Sequence, residues 1–194
     1  MLKKIQYNAP VTLSFALISL IILGANIVTN GLLNSYFFSI YFTSFKDPLL
    51  YIRVFTHVLG HAGWQHYFSN IMYLLLLGPM LEEKYGSNAL LGGILVTAAA
   101  TGIAHLILDP YTALLGASGI VFMMILLASF ASFTQGHIPL TFILIAVIYL
   151  GNEIATGITS ADNVSQLSHV IGGVFGAILG FFFKKNRTKG KKRR

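Results

Sequence analysis

The sequence predicts an all-α membrane protein, a polytopic bundle of six transmembrane helices. Of the 194 residues, 55% are hydrophobic and only 10% are charged, and the mean hydropathy is +0.74, which is too apolar for a soluble domain. The apolar residues form uninterrupted runs of about 17 to 20 residues, the length that crosses a hydrocarbon layer of ~30 Å. These runs lack the alternation of a β-barrel, so helices must pair the backbone groups. The absence of cysteine excludes disulfides and thiolate chemistry.

Six runs account for most of the chain, so a single membrane domain over residues 1–194 is expected. The first run lacks a convincing cleavage site and is interpreted as a retained helix. The spans are predicted at residues 11–28, 64–81, 89–108, 114–133, 138–156 and 166–183.

The basic residues predict the orientation, because Lys and Arg near span ends stay on the cytoplasmic side. In a bundle of six helices, all of them except Lys46 and Arg53 fall on the side of the termini. Both termini are therefore expected in the cytoplasm, and the protein is expected in a bacterial plasma membrane. The basic tail at 184–194 is interpreted as a contact to anionic membrane lipids, and nucleic acid is not expected as a partner.

The long connection at 30–63 is predicted to lie partly in the outer leaflet. Aromatic rings with polar tips favour the headgroup level, and a poorly ordered linker would not carry so much apolar area. The linker stays the alternative. The aromatic residues of this segment are Tyr36, Phe37, Phe38, Tyr41, Phe42, Phe45, Tyr51 and Phe55.

A serine and a histidine inside apolar spans indicate chemistry. Ser118 stands in the segment Gly-Ala-Ser-Gly at the start of the fourth span, and His169 stands in the sixth. Polar groups that hydrocarbon cannot solvate are functional candidates, and a serine with a histidine suffices for nucleophilic acyl transfer. Taken alone, the small residues around Ser118 are more typical of helix packing than of catalysis.

His66 and Asn70 lie one turn apart on one face of the second span. Both can donate hydrogen bonds without bringing a permanent charge into the membrane, so they are candidates for stabilising an oxyanion. The alternative is that they bond neighbouring helices together.

Glycines recur every four residues after His169, at Gly172, Gly176 and Gly180. Such a stripe lets two helix backbones approach closely. If the fourth span is the partner, with Gly119 facing the stripe, the imidazole reaches the serine hydroxyl.

These motifs, in this order, resemble the rhomboid intramembrane serine proteases of the minimal six-helix bacterial type. The likeness covers roughly residues 51–183 and includes the approach to the second helix at 56–61 and the acidic Glu82 at its end. It implies that Ser118 is the nucleophile and His169 the general base, and that His66 and Asn70 form the oxyanion site with the Ser118 amide. It further implies transmembrane protein substrates and no cofactor or metal.

Two residues depart from the family pattern. Phe122 replaces a frequent tyrosine, which keeps a ring beside His169 but removes a hydroxyl. Ile52 precedes Arg53 where the family usually has tryptophan, which keeps the cation and loses the indole.

Two other classes of protein fit some of these residues. A catalytically silent rhomboid-like protein would bind transmembrane clients without cutting them. A haem or metal protein would use His66, His105 and His169, but it would have no need of the Gly-Ala-Ser-Gly segment. His105 is predicted to pack or to lie at the interface, with water retention as the alternative, while His137 and Glu153 are given no role. The substrate and the oligomeric state do not follow from the sequence.

Overall fold

The computed structural model describes residues 6–131, 140–145, 147–148, 168–180 and 182. Its regular elements within these ranges are helical, apart from one isolated antiparallel bridge between Ile40 and Leu114. A π-helical turn, Asn34–Phe38, and a 3-10 turn, His57–Leu59, lie in the long connection. The α-helices are α1 Pro10–Val28, α2 Pro48–Thr56, α3 Trp64–Tyr85, α4 Ser87–Leu108, α5 Ser118–Ala131, α6 Leu140–Ile145 and α7 Ser168–Gly180.

Helices α1, α3 and α4 cover the first three predicted spans to within a few residues. Among the described residues, α1 and α4 are the two helices that are both long enough and apolar enough to cross a membrane. Most of the predicted fifth span at 138–156, with Glu153, and the residues beyond 182 lie outside the described residues, as does His137.

The predicted start of the fourth span at residue 114 is wrong, because α5 begins at Ser118. Leu114 is bonded through its backbone to Ile40, with N–O distances of 2.9 and 3.0 Å, and this pairing keeps it extended. Gly116 has a φ of +125°, a conformation that L side chains rarely adopt and that a continuous helix excludes. Ser118 is therefore the first residue of its helix.

Local sequence signals explain several helix ends. Pro10 and Pro48 stand at the first positions of α1 and α2, where the missing N–H costs no intrahelical bond. The Asp47 carboxylate accepts a hydrogen bond from the Leu49 amide at 2.9 Å and so caps α2. Gly86, with φ +89°, turns the chain from α3 into α4 without a further loop.

The hydrophobic core lies where α1, α3, α4 and α5 meet. Leu74, Leu81, Leu90, Ile120 and Met123 are fully buried there. Because the same core includes Ala117, the residue before Ser118, it fixes the first turn of α5.

Glu82 joins the end of α3 to the start of α1. Its carboxylate accepts hydrogen bonds from the amides of Val11 (2.9 Å) and Thr12 (3.1 Å) and from the Thr12 hydroxyl (2.9 Å), and its side chain is buried. A carboxylate at a helix N-terminus satisfies unpaired N–H groups and complements the positive end of the helix dipole.

Replacing Glu82 by alanine is expected to lower the free energy of unfolding by about 2 to 3 kcal/mol, because buried donors lose a charged acceptor. The measurement is the melting temperature in detergent, with unfolding monitored by the exposure of buried side chains. Glu83→Ala, which changes the exposed neighbouring acid, should unfold like the wild type. Equal melting temperatures for both variants would show that the cap contributes nothing.

The connection between α1 and α3 is folded, not a linker. The Arg53 side chain is 2% exposed, and its Nη2 donates to the Thr43 hydroxyl and to the Asp47 carboxylate, both at 2.9 Å. Its guanidinium also lies 4.4 Å from the centre of the Tyr41 ring. The Thr43 hydroxyl and the Leu49 amide lower the pKa of Asp47, which keeps it ionised. Arg53 therefore organises this segment even though isoleucine precedes it.

Candidate active site

Helices α5 and α7 touch backbone to backbone through glycine. A Cβ placed on Gly172 would overlap the Gly119 carbonyl oxygen and would lie 2.7 Å from the Gly119 carbonyl carbon. A Cβ on Gly176 would overlap the Met123 carbonyl oxygen, and one on Gly180 would lie 2.5 Å from the Phe130 ring. All three glycines thus face α5, and Gly119 is the point of closest approach.

This contact brings His169 to the first turns of α5. The rings of Phe122 and His169 are stacked, with centroids 4.4 Å apart and planes inclined by 8°. A Cβ on Gly119 would lie 3.2 Å from the carbonyl oxygen of Ser168, the residue before His169. Phe122 is one turn after Ser118 on α5, so the His169 ring on α7 packs against α5 one turn from the serine. Phe122 also keeps the ring contact expected of a tyrosine at this position.

Ser118 is half-buried at the N-terminus of α5, where backbone amides lack intrahelical partners. The segment that leads into it is held by the Gly116 amide, which donates to the His57 carbonyl at 2.9 Å. A helix N-terminus also carries partial positive charge, so the Ser118 amide suits a developing oxyanion.

His66 lies against the segment that leads into Ser118. A Cβ on Gly116 would lie 2.7 Å from Nε2 of His66, so only glycine leaves room for the ring. The Ala62 amide donates to Nδ1 of His66 at 3.4 Å, which places the hydrogen of the neutral ring on Nε2. The proton-bearing nitrogen therefore faces the turn that precedes Ser118, and the rings of His66 and His169 are near enough to interact electrostatically.

Asn70 is buried one turn further along α3. Its Nδ2 donates to the His66 carbonyl at 2.9 Å, which fixes the side-chain amide on the face of α3 that carries His66. An amide nitrogen has two hydrogens, so this internal bond leaves Asn70 able to donate a second one.

The resemblance to the rhomboid proteases implies that this chain cleaves peptide bonds, and on that expectation Asn70→Ala should lower the rate about 10-fold to 1000-fold, as the loss of one oxyanion donor does elsewhere. The measurement is turnover of a transmembrane substrate in liposomes, with the melting temperature recorded in parallel. Ser69→Ala is the matched control, because the exposed Ser69 hydroxyl donates to the same His66 carbonyl at 3.0 Å. A lower melting temperature at an unchanged rate would instead make Asn70 a packing residue.

His57 and His61 hold the approach to α3 through hydrogen bonds. The His57 ring is buried between the Arg53 carbonyl (3.1 Å) and the Thr101 hydroxyl (3.3 Å), and the His61 Nδ1 donates to the Leu59 carbonyl at 3.2 Å. Burial lowers the pKa of each ring to about 4, so both are neutral at physiological pH.

Sequence reasoning considered His105 alone and missed that it continues a line of polar side chains on α4. Thr97, Thr101 and His105 follow one another at intervals of four residues, and all three are buried. A methyl group of Thr101 would lie 3.1 Å from a Cβ on Gly119, and Nε2 of His105 donates to the Thr112 carbonyl at 2.9 Å. The regular spacing of polar residues within an apolar span was the available signal.

The helices define a class of protein, namely a helical membrane protein that carries a serine at the start of one helix and a histidine on the helix packed against it. Residues 49–186 match the Rhomboid domain family, and the chain belongs to the rhomboid family of integral membrane proteins.

Three curated relatives each match about two thirds of the chain. The chain is 30% identical over 131 residues to "Rhomboid protease GluP" of Bacillus subtilis (strain 168), which is 64% of this chain and 25% of that protein. It is 27% identical over 139 residues to "Rhomboid-related protein 1" of Caenorhabditis elegans, 66% of this chain and 39% of that protein. It is 23% identical over 144 residues to "Rhomboid-like protein 11, chloroplastic" of Arabidopsis thaliana, 67% of this chain and 51% of that protein. The matched regions thus span between a quarter and half of the relatives' lengths.

Proposed function

We propose that this chain is an intramembrane serine endopeptidase that cleaves transmembrane segments of other membrane proteins with a dyad of Ser118 and His169. The observation that carries the proposal is the stacking of His169 on Phe122 at 4.4 Å, one turn from Ser118. Membership of a family that includes a relative named as a protease supports it.

The dyad works by nucleophilic acyl transfer. His169 removes the hydroxyl proton of Ser118 as the serine oxygen attacks the substrate carbonyl carbon. The same proton passes to the leaving amine when the peptide C–N bond breaks, and an acyl-enzyme remains. Water then attacks the ester and gives a proton to His169. His169 passes that proton to the serine oxygen as the ester C–O bond breaks, which releases the carboxylic acid and the free serine.

The oxyanion formed in both attacks is assigned to three donors, namely the Ser118 amide, Nε2 of His66 and the Asn70 side chain. All three are neutral, so the site stabilises developing charge without holding a permanent charge in the membrane. The bond from Ala62 to Nδ1 supports this assignment, because it puts the His66 hydrogen on the nitrogen that faces Gly116.

A third acid is not part of the proposal. Of the acids in the described part of the chain, Asp47 is paired with Arg53, and Glu82 caps α1. The stacked Phe122 ring supplies orientation to His169 in place of a carboxylate.

The arrangement in the membrane follows from the same proposal. We propose that six spans leave both termini in the cytoplasm of a bacterial cell, where basic residues beside a span favour anionic lipid. Hydrolysis requires water, so the outer ends of α3, α5 and α7 enclose a hydrated cavity. The substrate segment must unwind locally, because a helix engages its peptide carbonyls in internal bonds.

Labelling with a fluorophosphonate tests the assignment of the nucleophile. The wild-type protein in detergent is expected to take up the probe, and Ser118→Ala is expected to take up none while it keeps the wild-type melting temperature. Ser69→Ala, an exposed serine on α3, should label like the wild type. A folded wild-type protein that does not react would favour the silent client-binding protein instead.

A further inference from the structure

The segment that leads from α4 to Ser118 is bonded at every second residue. Residues 110–112 form a turn and a bend, and Leu114 pairs with Ile40 in an isolated bridge. These bonds, called rungs below, therefore attach the segment at separate points along its length. Three of the rungs use backbone partners from the connection between α1 and α3. They join Phe42 to Pro110 (2.7 Å), Ile40 to Leu114 (2.9 and 3.0 Å) and His57 to Gly116 (2.9 Å).

The rung at residue 112 has a different origin. The carbonyl of Thr112 accepts a hydrogen bond from a side chain, Nε2 of His105, at 2.9 Å. A carbonyl can only accept, so the hydrogen of this nitrogen is on Nε2. His105 stands on the last turn of α4 and is 2% exposed, so the packing of that helix fixes its ring.

We infer that His105 is a positioning residue for the nucleophile, because its ring bonds the Thr112 carbonyl between the backbone bonds at Pro110 and Leu114. The inference rests on the proposed role of Ser118. The rungs at Pro110 and Leu114 belong to one connection, whereas His105 ties the middle of the segment to α4 itself. The segment is therefore fixed from two sides before it enters the turn at Gly116.

The consequence concerns alignment. The Ser118 hydroxyl and amide both depend on where this segment delivers the first turn of α5. A misplacement of reacting groups by about 1 Å can cost about 100-fold in rate, so a rung four residues from the turn can affect chemistry without touching the substrate. Substrate binding by other surfaces should be unchanged.

The test compares two replacements of His105 in the full-length protein. His105→Phe keeps the planar shape and removes the donor, whereas His105→Gln places a side-chain N–H near the position of Nε2. We expect the phenylalanine variant to show about 10-fold to 100-fold lower kcat and fluorophosphonate labelling rate with unchanged KM, and the glutamine variant to recover most of both. Thr112→Val is the matched control, because it changes the exposed side chain and leaves the carbonyl in place.

Hydrogen exchange supplies a measurement that does not depend on catalysis. Peptides covering residues 110–117 should exchange faster in His105→Phe than in the wild type and in His105→Gln, while α1 exchanges at the wild-type rate. Should the phenylalanine variant not fold, His105→Leu replaces it in the same comparison.

Two outcomes would overturn the inference. One is wild-type exchange and labelling in His105→Phe. The other is equal loss of activity in the phenylalanine and glutamine variants with unchanged exchange at 110–117, which would assign the effect to ring packing. If the wild-type protein neither labels nor cleaves, the proposed function fails, and the exchange data alone still decide whether His105 holds the segment.

Discussion

Alanine at Ser118 or at His169 is expected to reduce the cleavage of a transmembrane substrate by at least about 1000-fold. In the proposed mechanism the serine oxygen forms the acyl bond and the imidazole carries the proton in both half-reactions, so neither step proceeds without its group. The measurement is the rate of product formation in liposomes, with each variant compared at equal amounts of folded protein. The double variant should be no slower than the slower single variant, since groups that act as a unit do not contribute additively.

Folding must be separated from chemistry in this experiment. Ser118 is half-buried and small, so its alanine variant should melt like the wild type. His169→Ala removes a ring stacked on Phe122, so a modest loss of stability is acceptable provided the helices remain assembled. Turnover at the wild-type rate by either variant would remove that residue from the mechanism.

The second large effect is expected from adding a single methyl group to Gly172. A Cβ there would overlap the Gly119 carbonyl oxygen and would lie 2.9 Å from the Gly119 Cα, and a backbone cannot rotate away as a side chain can. Gly172→Ala should therefore separate α5 from α7. We expect the free energy of unfolding to fall by about 1 to 3 kcal/mol and cleavage by about 100-fold or more.

Gly24→Ala is the matched control for this prediction. Gly24 also lies within a helix, but a Cβ there would meet nothing within 4 Å. Alanine should be neutral or stabilising at this position by about 0.5 to 1 kcal/mol, because it lowers the entropy of the unfolded chain. Similar melting temperatures and activities in the two alanine variants would contradict the backbone contact between α5 and α7.

Helix existence was predictable from the sequence, whereas the start of α5 was not. Hydropathy follows apolar composition, and residues 114–117 are as apolar as the helix they precede. What excludes them from the helix is the bridge from Leu114 to Ile40 and the positive φ of Gly116. The bridge depends on a segment more than 50 positions away, and the positive φ is a local conformation of the backbone. Neither leaves a signal in hydropathy.

The candidate site shows the same division. Serine, histidine and the glycine stripe were recognisable because polar groups and small residues at helical spacing are rare enough in apolar spans to be noticed. The supporting bond of His105 was not, because it ends on a backbone carbonyl, a group that every residue possesses. Only coordinates show which carbonyl faces which ring.

The meeting of Gly119 with Gly172 leaves no rotamers to adjust between the helices that carry the serine and the histidine. Two main chains in direct contact cannot adjust gradually, so this contact is either complete or lost. Heat inactivation should therefore coincide with unfolding and not precede it. Partly active forms of the protein with separated helices should not accumulate during heating.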